Sequence, residues 1–205
     1  MKTFRIILFV VIAGAFTACD EDGYFDNGKR VTGTGEIESV SVGVIDFSSV
    51  NLENVSNVYV ETGLACKVVF TAYENILPYM EAKFIGDELV LKFNRDINVN
   101  SDEEIRVDIT LPELDKITLS GAGNFYINGP QQEELELELN GVGNIEAFGL
   151  RVINGYVELN GTGNIQIDAK EYLSVDIDGL GNVYYKGDPE LALDINGLGE
   201  VVAED

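Results

Sequence analysis

The sequence predicts an all-β chain wound as a single-stranded parallel β-helix, a solenoid whose N-terminal half is an atypical, β-rich cap. Three observations carry that expectation. One short phrase recurs five times, as SGAGNF at 120–125, NGVGNI at 140–145, NGTGNI at 160–165, DGLGNV at 178–183 and NGLGEV at 196–201, with first glycines 20, 20, 18 and 18 residues apart. A repeat of that length marks an architecture in which each unit buries its apolar face by stacking on its neighbours. Within each copy apolar and polar residues alternate, the period of a half-buried strand. Two strands and a turn also use up most of each repeat, leaving no room for the crossover helix of an ordinary parallel sheet.

In chain order, residues 1–18 read as a leader, in which Lys2 and Arg5 flank or precede an apolar run, Ile6–Phe16, too short to span a bilayer permanently. The run ends in FTAC, and the small Thr17 and Ala18 before Cys19 resemble a bacterial lipobox, with Phe16 where leucine is usual. That resemblance implies an acylated Cys19 as the first mature residue, anchored to the membrane by several acyl chains. Residues 19–35 read as an acidic, glycine-rich tether. Its opening Asp20, Glu21 and Asp22 resemble a signal that sends lipoproteins of some double-membraned bacteria to the outer face of the outer membrane.

The domain proper is expected over 36–205, beginning with alternating valines at Val40, Val42 and Val44 and again at Val58 and Val60. The segment YENILPYM at 73–80 suits a short helical turn broken at Pro78, and FIGDELVLKF at 84–93 a hairpin turning at Gly86-Asp87. This half is expected to shield the first apolar layer of the stack. Cys66 lies within a strand, lacks a partner once Cys19 is acylated, and is expected as a buried free thiol.

Aligning the repeats on the first glycine separates their columns by polarity. Leu119, Leu139, Leu159, Ile177 and Ile195 form one inward column, and Ile117, Leu137, Val157, Val175 and Leu193 another. Between them the outward column reads Thr118, Glu138, Glu158, Asp176 and Asp194, followed by Ser120, Asn140, Asn160, Asp178 and Asn196. After the turn Phe125, Ile145, Ile165, Val183 and Val201 point inward again, and a return loop completes each coil. The turn itself is Gly121, Gly123 and Asn124 in the first copy, then Gly141, Gly143 and Asn144, Gly161, Gly163 and Asn164, Gly179, Gly181 and Asn182, and finally Gly197 and Gly199. Positive φ or close backbone approach explains the glycines, and asparagine is the next most tolerant residue at such corners. No third glycine and no helix follow, so this is not a dinucleotide fingerprint. Calcium-binding nonapeptide repeats need GGxGxD at nine-residue spacing, whereas here the copies are 18 or 20 residues apart and the second glycine is followed by asparagine or Glu200.

FSSVNLENVSNVYVE, the 84–93 hairpin, ITLPELDKITLSGAGN and the recurring GxGN copies together resemble the putative auto-transporter adhesin, head GIN domain family of bacterial envelope proteins, over roughly residues 37–203. The resemblance implies a right-handed parallel β-helix in the cell envelope and transfers no catalytic residue.

A net charge of −23 with no histidine repels phosphate backbones and anionic lipid, which argues against nucleic-acid binding. The expected function is a non-catalytic, lipid-anchored surface module that binds a glycan or an envelope protein. The alternative is a polysaccharide hydrolase or lyase using Asp176, Asp178 and Asp194. The column Glu138, Glu158, Asp176 and Asp194, flanked by Asp178, carries a standing repulsion that water and salt offset, or that a Ca²⁺ ion on this face relieves. No cofactor is otherwise implied. Leu193, Ile195 and Val201 form a terminal layer without a coil above it, which predicts end-to-end self-association.

Overall fold

The computed structural model describes residues 29–94 and 96–204, so the leader, Cys19 and the acidic run after it lie outside the described residues. Within them the chain is all-β. The N-terminal half contributes β1 (Lys29–Thr32), β2 (Ile37–Val42), β3 (Ser49–Leu52), β4 (Val55–Thr62), β5 (Lys67–Tyr73), β6 (Met80–Ile85), β7 (Glu88–Phe93), β8 (Ile97–Asn100) and β9 (Arg106–Leu111). The repeats contribute β10 (Lys116–Leu119), β11 (Ala122–Asn128), β12 (Gln132–Leu139), β13 (Val142–Leu159), β14 (Thr162–Ile177), β15 (Val183–Lys186), β16 (Glu190–Ile195) and β17 (Val201–Ala203). Fifteen strands form one sheet that runs from β2 through β5, β9, β4, β11, β13, β12, β10, β3 and β7 to β6, with β14 to β17 continuing from β13. This sheet curls nearly closed, barrel-like, around a single apolar core, while β1 and β8 form a separate parallel pair.

Successive repeats pair in parallel and in the register that their alternation requires. Leu119 lies beside Leu139, Leu139 beside Leu159, Leu159 beside Ile177, and Ile177 beside Ile195. Beyond the turn Phe125, Ile145, Ile165, Val183 and Val201 follow one another in the same way. A slip of one residue would turn each inward column out to solvent, so burial holds the register. The inward columns are fully buried as far as Ile177 and Val183, but Leu193 and Ile195 are 48% and 43% exposed.

Several expectations need correction. The return is a short loop between β11 and β12 and between β15 and β16, but in the second and third copies it is extended strand, because Leu150, Val152 and Ala169 are buried and β13 and β14 stay paired through two register shifts. Pro78 does not break a helical turn. It lies in the first turn of a 3-10 segment, Leu77–Tyr79, where a missing N–H costs nothing. The hairpin at Gly86 forms as expected, with Ile85 paired to Glu88. Residues 29–32, read as part of the tether, form β1, whose Val31 is buried. Cys66 is half-buried at the edge of the core. Thr118 belongs to the outward column by alternation, yet it is buried.

The N-terminal half is more than a cap. Val50 and Leu52 lie beside Ile117 and Leu119, and Asn57 and Val58 beside Asn124 and Phe125, so residues 49–62 are a further rung of the same ladder. β7 and β9 stack beneath it in parallel. The antiparallel strands lie beyond these, where β5 pairs with β2 and β9, and β6 pairs with β7.

Candidate functional site

The repeated corner is set by how closely one rung lies on the next. The N–H of Val142 donates to the carbonyl of Gly121 at 3.0 Å, and those of Thr162, Leu180 and Leu198 donate to Gly141, Gly161 and Gly179 at 2.9 Å. These carbonyls point straight at the following rung. A Cβ on Gly141 would overlap the oxygen of Gly121, and one on Gly143 the oxygen of Gly123. Gly143 also has φ +145°, a conformation that side chains disfavour, whereas the first glycine of each copy has no such φ. Close approach is thus the requirement common to the corner glycines.

The asparagines serve a purpose that the sequence reading missed. No described non-glycine residue has positive φ, so tolerance of a strained turn does not explain them. Instead the Asn124 Oδ1 accepts both the backbone N–H and the side-chain amide of Asn144, each at 3.0 Å. Asn144 does the same for Asn164 at 3.1 and 3.3 Å, and the Asn164 Oδ1 accepts the Asn182 N–H at 3.0 Å. The ladder starts at Asn57, which accepts from Asn124, and ends where Glu200 donates its N–H to Asn182. An amide ladder satisfies, on every rung, a backbone donor that the tight corner would leave unpaired.

Two outward columns flank this corner. The residue between the glycines makes a ridge of Val55, Ala122, Val142, Thr162, Leu180 and Leu198, in register from rung to rung. Val55, Val142, Leu180 and Leu198 are 50–77% exposed. Their spacing was visible in the sequence, but a corner position has no strand alternation by which to read its direction. Near the start of this face Tyr59 stacks on Tyr126 at 4.8 Å, with the Arg106 guanidinium 3.7 Å from the Tyr59 ring centroid.

The acidic column assembles in register, Glu138 beside Glu158, Glu158 beside Asp176, and Asp176 beside Asp194. Its two ends differ. Lys116, absent from the expected site, reaches Glu136 at 2.7 Å and Glu138 at 2.8 Å. Burial pushes the Glu138 carboxyl up, but the Lys116 and Asn140 hydrogen bonds outweigh it and hold it below the ordinary range. Burial alone would lower the Lys116 ammonium, yet the same two glutamates raise it. Asp176 has no such partner. Burial, then Asp178 and Asp194, push its carboxyl up, and its Oδ1 is sealed from solvent with no hydrogen-bond partner. The carboxylates stand in file, and among the described residues no group of three or more His, Cys, Asp or Glu is placed to hold a metal ion.

No curated protein matches the sequence. A putative adhesin structure from Bacteroides fragilis superposes with a TM-score of 0.55 at 19% identity, covering 85% of this chain and 100% of the other, and so shares its fold. A putative adhesin from Parabacteroides merdae gives 0.46 at 20% identity over 87% and 100% of the two chains. A putative lipid binding protein from Parabacteroides distasonis gives 0.45 at 18% over 85% and 97%. The sequence profile of one family matches residues 46–143 and 131–189, together spanning 46–189 of this chain. The chain belongs to that family, described as putative auto-transporter adhesin, head GIN domain.

Proposed function

We propose that this protein is a non-catalytic, adhesin-like binding module of the cell envelope, anchored at the outer membrane through an acylated Cys19 and facing the cell exterior. In this reading the stacked rungs wind as a right-handed parallel β-helix, and their side presents one repeating surface to a glycan or an envelope protein. The observation that carries it is the outward face itself. The ridge from Val55 to Leu198 is apolar on every rung but that of Thr162, and the file from Glu138 to Asp194 is acidic on every rung. A catalytic site needs a few unlike groups converging on one point, whereas a repeating face suits extended contact. Family membership supports the same reading.

The test is protease added to intact cells, with and without Cys19→Ser, followed by adhesion of those cells to immobilised glycans and envelope extracts. Digestion of the native chain, release or stalled processing of the Cys19→Ser chain, and loss of adhesion in its absence are the expected results. A chain that stays membrane-bound after Cys19→Ser, or that resists protease until the cells are broken, overturns the anchor or the exposure. The raised carboxyl of Asp176 beside Asp194 favours one second reading, a hydrolase or lyase acting on polysaccharide. Release of reducing or unsaturated sugar ends that is lost in Asp176→Asn would establish it.

A further inference from the structure

Resting on the reading of the chain as a binding module, we propose that the groove between β2 and β6 receives an extended peptide segment of another protein, alternating apolar with basic residues. These two strands end the path of the large sheet, each paired on one side only among the described residues. They border a common cavity of about 550 Å³ with the link Glu74–Pro78. Consecutive residues of both strands line it, Val40 and Ser41 on one side and Met80 and Glu81 on the other. Neighbouring residues of a strand point to opposite faces, so a cavity touching both parities lies against a strand edge. Two edges with unpaired N–H and C=O groups therefore face the gap at which the sheet fails to close.

What fits that gap follows from its chemistry. A strand between the edges takes up the free backbone groups of both, as in strand addition to an open sheet. Phe70 and Met80, 5% and 8% exposed, give an apolar floor, and Val40, 47% exposed, an apolar wall without a partner. The charged lining consists of Glu38, Glu74 and Glu81, the last 3.8 Å from Lys92 on β7, with no lysine or arginine among the lining residues themselves. An incoming strand with apolar residues on the floor side and Lys or Arg on the other meets the floor and Glu81, while its end passes Glu38, which shares the Val40 face, and Glu74. Each edge strand has six residues, which sets the length of the segment. A second copy is disfavoured, since an exposed strand such as β16, ELALDI, carries Glu190 and Asp194 and no basic residue. An acyl chain would fill the floor and leave the strand edges unpaired.

The experiment uses the full-length chain and an eight-residue peptide of alternating valine and lysine, with binding followed by fluorescence anisotropy. Three controls accompany it: the valine–glutamate peptide, the valine–lysine peptide N-methylated at alternate amides, and dodecanoate. The native chain is expected to bind the valine–lysine peptide one to one and at least tenfold more tightly than the N-methylated or glutamate forms. The double variant Glu38→Lys, Glu74→Lys, with an unchanged thermal midpoint, should lose tenfold or more for the lysine peptide and gain a similar factor for the glutamate peptide. Equal binding of the N-methylated peptide, or of the lysine peptide by the variant, overturns the proposal. Displacement by dodecanoate without specific peptide binding reassigns the groove to an acyl chain, and dimerisation abolished by Val40→Asp reassigns it to a second copy. Peptide binding by a chain that fails the adhesion test would separate this groove from the envelope role.

Discussion

The corner takes two forms in this molecule, closed against the rung beneath from Gly121 onward, and open at residues 54–57, where the rung beneath diverges. On the rungs from Gly121 onward it is Gly-x-Gly, and a Cβ on either glycine would overlap a carbonyl of the neighbouring rung. At residues 54–57 the corner reads Asn-Val-Ser-Asn, and Asn54 and Ser56 are buried with their side chains bonded to each other at 3.0 Å. The next rung diverges there. β9 pairs with β4 only from Asn57 onward, and cavities lined by Phe93, Ile97 and Val99 on one side and Ser101 and Ile105 on the other lie beside Asn54 and Ser56. The glycines are therefore a property of the interface between rungs, and where that interface opens, polar side chains fill the space.

The largest expected effect comes from forcing a side chain into the closed corner. Gly143→Ala should lower the unfolding free energy by about 3 kcal/mol or more, since backbone strain and a clash with fixed backbone combine. Ser56→Ala, at the open corner, should cost about 1 kcal/mol, the value of one buried hydrogen bond. Equal losses in denaturant melts would break the comparison. Between these lies Asn144→Ala, expected to cost about 2 kcal/mol, because it takes the acceptor from the Asn164 N–H and side-chain amide and removes one of the two donors to Asn124. Asn144→Asp keeps the acceptor and should recover part of that loss.

The acidic column offers a smaller contrast, in pH. Glu138 is depressed, so its pairing with Lys116 contributes stability above the ordinary glutamate value and loses it as pH falls through the lower, folded-state value. Lys116→Met should therefore lower the thermal midpoint at pH 7 by an amount worth at most about 1 kcal/mol, and by less as the solution is acidified toward pH 3. Asp176 is raised, so its charge is a penalty above the folded-state value, relieved as pH falls. Asp176→Asn should raise the midpoint slightly at pH 7 and leave it unchanged below the ordinary aspartate range. A rise of the midpoint at pH 7 in both Asp176→Asn and Glu138→Gln would show that the column acts as one undifferentiated charge, whereas the Lys116 pairing predicts a fall for Glu138→Gln.

Whatever is local and periodic in this protein was legible from the order of its residues. Alternation at period two set the inward columns through Leu139, Leu159 and Ile177, and their constant offset from the corner glycines set their parallel, in-register pairing, because each column can be buried only on its own copy. Tertiary structure decided whatever depends on the neighbour beneath. That Asn57 starts the ladder completed by Asn124 is a contact across 67 residues, and no glycine at 54 or 56 announces it. The return segments looked like loops because Gly149, Gly155 and Arg151 interrupt the alternation, whereas the buried Leu150 and Val152 keep them extended. Nor did any pattern in Ile37–Val42 or Met80–Ile85 reveal that these strands end the sheet facing one another. Strand composition records which face is buried; which edge stays open depends on where the whole sheet stops, and that is settled only when every rung is in place.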